Sequence, residues 1–149
     1  MIAGTLLSTL TVASWSTDTD RAAVERVLAV MDDASLSPAQ KLGVYESNAV
    51  IMAPDAAPIR GHKQLLDHLT DAAPGPGVNL SHFAREITRH GDLVVAEGGV
   101  RGEWRQTPDS APVQFATNNL ILLRADDDGR LKVWKVVYNA APVKDAQTP

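Results

Sequence analysis

The chain has 149 residues, 44% of them hydrophobic and 21% charged, with a formal net charge of −4 and no cysteine. That length and balance suit one domain with a core of its own, and the missing thiols exclude disulfides and thiolate metal sites. An acidic chain without a basic face is also a poor match for nucleic acid.

Residues 1–17 read as an apolar lead. Ile2 to Ala13 is too short to span a bilayer as a helix, so no stable membrane insertion is expected. The stretch has the length of a signal-peptide core, and Val12-Ala13-Ser14 has the small residues of a cleavage site, but no Lys or Arg precedes it. Export to the periplasm or medium through residues 1–14 stays open. The missing basic residue puts the cytoplasm ahead, with the lead as an extra helix or a loose segment.

A helix is predicted over 20–33, where Val24, Val27, Leu28 and Met31 form one apolar stripe and Arg21, Glu25, Arg26 and Asp32 take the other faces. Ser37, Pro38 and Gln40 carry the signature of a capped second helix ending near Glu46. A short strand follows over 49–53, then a turn punctuated by Pro54, Pro58 and Gly61. A third helix covers 62–71 and is stopped by Pro74-Gly75-Pro76-Gly77. Beyond it come four strands, 80–90, 93–104, 113–124 and 131–139, with tight turns at Gly91-Asp92 and Asp128-Gly129. Helices first and a strand meander after predict an α+β layout over residues 18–142, with 143–149 as a frayed tail.

This order of elements resembles the nuclear transport factor 2-like superfamily and, within it, the SnoaL-like and ketosteroid-isomerase-like groups. The residues that carry the likeness are Asn48-Ala49-Val50, Pro54, Pro58-Ile59-Arg60-Gly61 and Val133-Trp134-Lys135-Val136. The resemblance implies a cone, in which a curved antiparallel sheet wraps the N-terminal helices and the open end is a ligand pocket. It also implies a homodimer formed through the outer sheet face. It leaves the reaction open, because the superfamily hosts isomerases, cyclases, epoxide hydrolases, dehydratases and members without a known reaction.

Aligned on that resemblance, the base position of the steroid isomerases holds Ala53, which cannot take a proton, so enzymatic activity is uncertain. Asp55 lies two residues on and reads first as a turn residue. The acid that serves the oxyanion in those isomerases falls at Asn118, an amide that can donate a hydrogen bond but not a proton. In the closing strand, where the SnoaL-like cyclases carry an acid, this chain reads Val136-Val137-Tyr138-Asn139, with an amide in place of the carboxylate.

Strand alternation orders the remaining candidates. In 93–104 the set Val94, Ala96, Gly98, Val100, Gly102 and Trp104 faces inward, with Glu97 outward. One of Asn118 and Asn119 points into the cone, and the apolar run after them suits a covered or dimer-forming strand. His82, on a face with Ala84, Glu86 and Thr88, is the histidine that can enter the cone, as a base beside Glu86 or as a contact to a polar ligand; the other reading is a surface strand face that carries a His and a Glu. His62 and His68 stand six residues apart, off one helix face, so neither metal nor cofactor is expected. The candidates are thus His82 and Asp55 for catalysis, and Met52, Trp104, Asn118, Trp134 and Tyr138 for an apolar ligand. The leading reading is a module that binds a small apolar molecule in a binding or accessory role. A cofactor-independent isomerase, cyclase or hydrolase, and a dimerisation scaffold with a filled cone, are the alternatives.

Overall fold

Asp20, Val24, Leu28 and Asp32 recur every four residues, so the buried stripe of the first helix begins and ends on an aspartate. The structure, a computed structural model, describes residues 17–71, 78–105, 107 and 109–143. The lead through residue 16, the Pro-Gly stop at 74–77 and the tail from residue 144 lie outside the described residues. The helix, α1 (Thr17–Asp32), buries Val24, Val27 and Leu28 against a six-stranded sheet. Each such side chain contributes about 2 kcal/mol by leaving water.

After α1 come α2 (Pro38–Lys41), a 3-10 turn (Leu42–Val44), β1 (Tyr45–Met52), β2 (Ile59–Arg60), α3 (Gly61–Asp71), β3 (Val78–His90), β4 (Leu93–Trp104), β5 (Val113–Ala125) and β6 (Leu131–Ala140). The strand order is β2-β1-β6-β5-β4-β3, antiparallel throughout except that β1 runs parallel to β6. The expected α+β cone is present, its sheet curved and unclosed with the helices on one face.

Two elements differ from the sequence expectation. The second helix is a single turn: the Ser37–Gln40 capping box forms, but Gly43 and Val44 are poor helix formers and β1 starts at Tyr45 rather than Ala49. Tyr45 is buried and pairs with Val133, which pulls it into the sheet. The turn at Pro58 also contains β2, which pairs Ile59 and Arg60 with Ile51 and Val50.

The helix and β3 are clamped at both ends. Asp20 holds the Arg89 guanidinium in a two-pronged pair, and Asp32 holds His82. His82 and Arg89 are seven residues apart, an odd spacing that would put them on opposite faces of a regular strand. A β-bulge resolves this. Ala84 pairs with Gly98 and Glu86 with Glu97, so Arg85 is an extra residue that resets the alternation. Arg21 of α1 donates to the bulge carbonyls of Ala84 and Arg85, at 3.4 and 3.3 Å. The expected face of His82, Ala84, Glu86 and Thr88 is therefore broken: Ile87 and Arg89 turn toward α1, while Glu86 and Thr88 are exposed.

Opposite the bulge stands Gly98, where a Cβ would lie 1.8 Å from the Phe83 carbonyl oxygen, whereas at Gly43 it would meet nothing within 4 Å. Gly98→Ala must push β3 from β4 and should cost about 3 kcal/mol by overpacking. Gly43→Ala is the control, expected within about 0.5 kcal/mol of the parent as a surface change. Urea unfolding of the two variants checks the difference.

Candidate active site

Between the helices and the inner sheet face lies a cavity of about 490 Å³. Its sheet wall presents Leu80 and His82 from β3, Val100 from β4, Phe115, Thr117 and Asn119 from β5, and Val136 and Tyr138 from β6. Tyr45 and Ile51 of β1 complete that wall, and Met31, Asp32, Lys41, His68 and Leu69 close it from the helical side. The surface is mainly apolar with a few convergent polar groups, the usual make-up of a small-molecule site.

The central pair is Asp32 and His82. Asp32 Oδ1 lies 2.5 Å from His82 Nδ1, and Oδ2 accepts the His82 backbone N–H at 2.9 Å. A carboxylate oxygen accepts, so Nδ1 is the donor to it, and in the neutral ring Nε2 is the nitrogen with the lone pair. Among the described residues Nε2 meets no hydrogen-bond partner. Both side chains are mostly buried, with 22% and 15% of their surface exposed, and both also border a shallower cleft between α1 and β3, beside Glu25. Asp32 is the last residue of α1, so the helix delivers it as a fixed group.

Three further groups have a defined state. The Val100 amide donates to Thr117 Oγ1 at 3.1 Å, and Thr117 donates in turn to Asn119 Oδ1 at 2.6 Å. This relay occupies the carbonyl end of Asn119 and leaves its NH₂ as a donor. Tyr45 is 5% exposed, and burial, with the Asp32 charge as a second cause, pushes its phenol up to about 12. It stays protonated at neutral pH and can only lose its proton to a strong base. The His62 ring donates from Nε2 to the Tyr45 carbonyl at 3.1 Å and fixes that residue's backbone. Tyr138 contributes a second phenol to the wall.

Of the seven catalytic and ligand candidates named from the sequence, Tyr138 and His82 line the cavity, and Met52, Asp55, Trp104, Asn118 and Trp134 do not. The partner of His82 is Asp32, not the exposed Glu86, because of the bulge. Asn118 is exposed and Asn119 is buried, so the inward amide is the odd-numbered one, in step with Phe115 and Thr117. Trp104 ends β4 beside Val78 and Val113, beyond the cavity, and is 41% exposed. Trp134 occupies a bulge, since Leu122 pairs with Lys135 and Leu123 with Val133. It stacks under Arg124 and Lys135, at 4.2 and 4.0 Å, instead of lining the wall with Val136. Met52 alternates away from the cavity-lining Ile51. Asp55 is exposed in a turn with φ 55°, a left-handed conformation that aspartate tolerates. Ala53 follows β1 outside the lining, and the site's carboxylate enters from α1 instead.

No family model and no curated protein matches the sequence. Solved structures do match in shape. A ketosteroid isomerase-like protein from Erwinia carotovora atroseptica superposes with a TM-score of 0.66 at 17% identity, over 81% of this chain and 93% of that one. The chain has the nuclear transport factor 2-like fold. An NTF2-like protein from Shewanella baltica (TM-score 0.61, 16% identity, 87% and 99% covered) and the CaMKII hub of S. rosetta (0.65, 13%, 81% and 96%) have it too. Among the described residues, no helix of this NTF2-like chain is long and apolar enough to cross a membrane, and no three His, Asp or Glu residues gather as metal ligands.

Raising the folded-state value of the Tyr45 phenol from 10 to about 12 links it to stability. The folded form holds its proton where the unfolded chain has lost it. About 3 kcal/mol of stability is therefore present below pH 10 and lost as pH climbs to about 12. Ultraviolet titration of the phenolate should show one of the two tyrosines ionising late, and Asp32→Asn should bring that titration down.

Proposed function

We propose that the cavity is a cofactor-independent acid–base site acting on a small, mostly apolar molecule that carries a carbonyl or hydroxyl oxygen. The observation that carries this reading is the buried Asp32–His82 pair in the cavity wall, with Nε2 unspent. A plain binding module has no need of an oriented imidazole, and a filled scaffold would leave no 490 Å³ space.

In this scheme His82 Nε2 takes a proton from a carbon beside the substrate carbonyl. Asp32 holds the ring and stabilises the imidazolium that forms. The electron pair moves to the carbonyl oxygen, and in this reading the Tyr45 O–H and Asn119 N–H of the lining donate to it. In a substrate with a double bond one carbon further on, return of that proton to the far end of the dienolate completes an isomerisation; attack of the enolate carbon on a second carbonyl of the same molecule, with the imidazolium proton passing to the new alkoxide, completes a cyclisation. Neither route consumes another reagent.

The test is hydrogen–deuterium exchange in D₂O, followed by NMR, over a panel of small cyclic ketones, aryl ketones and keto acids. The parent should accelerate exchange for at least one of them. His82→Gln should lose about 10²–10⁴-fold of that acceleration, the range of a general base, with Asp32→Asn losing less. A panel in which nothing exchanges, or a His82→Gln variant as active as the parent, removes the proposal.

The outer sheet face supports a second proposal, a homodimer. Leu120 and Val137 lie side by side across β5 and β6, 37% and 39% exposed, with Leu122 and Val95 paired nearby. Likeness to a hub supports the same reading. Light scattering should give twice the chain mass, and Leu120→Asp should halve it without loss of far-ultraviolet dichroism. A monomeric parent overturns the dimer.

A further inference from the structure

The wall of the cavity does not share the acidic balance of the chain: with His neutral it sets one Lys against one Asp. The protein has 18 acidic residues against 14 Lys and Arg. Among the described residues lining the cavity, however, the acids come down to Asp32, and both of its oxygens engage His82. The basic groups there are Lys41, His68 and His82.

Lys41 and His68 come from α2 and α3, which pack against each other, so both belong to the helical wall across from the strands. The Lys41 ammonium donates to the Met31 carbonyl at 2.9 Å, in the last turn of α1. An ammonium has three hydrogens, and no carboxylate among the described residues lies within ion-pair distance of this one. The neighbouring Asp33 feels the Lys41 charge, but its Oδ1 is taken by the Ser35 amide and hydroxyl, at 2.8 and 2.6 Å. Lys41 is thus tethered at the cavity with donors to spare. His68 likewise meets no hydrogen-bond partner among the described residues.

We infer that the ligand of this cavity is a monoanion, a small and largely apolar carboxylic acid whose carboxylate sits between Lys41 and His68. The assignment rests on the cavity being the active site, and deepens it by naming the substrate class. The apolar body lies against Leu80, Val100 and Phe115 and reaches His82 on the strand side. A charge-assisted hydrogen bond to a carboxylate is about twice as strong as a neutral one. A single fixed cation suits one negative charge. No arginine stands in the described lining to pair with a phosphate dianion.

Calorimetric titration of the full chain with three matched probes tests this: 2-naphthoate, 2-naphthalenemethanol and 2-naphthylmethylammonium. The carboxylate should bind at least tenfold tighter than the alcohol, with the ammonium weakest. Lys41→Met should bring the carboxylate down to the affinity of the alcohol and leave the alcohol unchanged, while Lys41→Arg keeps the preference. Naphthoate no tighter than the alcohol, or a preference that survives Lys41→Met, overturns the assignment, and so does a cavity that takes none of the three. The proton-transfer reading is judged separately, on the exchange rates of His82→Gln.

Discussion

A carboxylate at the end of a helix and an imidazole in the middle of a strand hold each other in this protein, and most of the cavity is arranged around that contact. Asp32 has both oxygens on His82, one on the ring and one on the backbone. The helix cannot slide or rotate without breaking both. Because Asp20 does the same to Arg89 at the other end, α1 is fixed in register against β3 over its whole length. Those termini lie about 18 Å apart along a helix of this rise, while seven strand residues cover about 23 Å. The bulge at Arg85 places one extra residue of β3 between the two clamps.

The same geometry that stabilises the fold also fixes the state of the chemical groups. The carboxylate settles which ring nitrogen of His82 bears hydrogen. Thr117, itself satisfied by a backbone amide, settles which end of Asn119 is free. Burial settles that Tyr45 remains a phenol. None of these depends on a bound molecule, so the hydrogen-bonding roles of the three groups are set before anything enters.

Helix, strand and turn punctuation were legible because they rest on local patterning. The four long strands were placed to within two residues at each end. The site was less legible, for an identifiable reason. Alternation assumes a regular strand, and both β3 and β6 carry a bulge, so Glu86 and Trp134 were assigned to the wrong faces. Asp32 was assigned to the polar side of α1, yet it continues the series Asp20, Val24, Leu28 at intervals of four. An acid on a buried stripe was the signal that could have found it. Tyr45 was hidden by the expectation that the second helix runs to Glu46; only its long-range pairing with β6 shows where the strand begins.

That pairing bears on how the cavity comes into being as the chain folds. Neighbouring strands of the meander from β3 to β6 meet across short connections, whereas Tyr45 must find Val133 at the far end of the sequence and lie parallel to it. Loop-closure entropy favours the local hairpins before the distant strand. The wall of the cavity that carries Tyr45 and Ile51 therefore rests on the pairing that costs the most chain entropy to close.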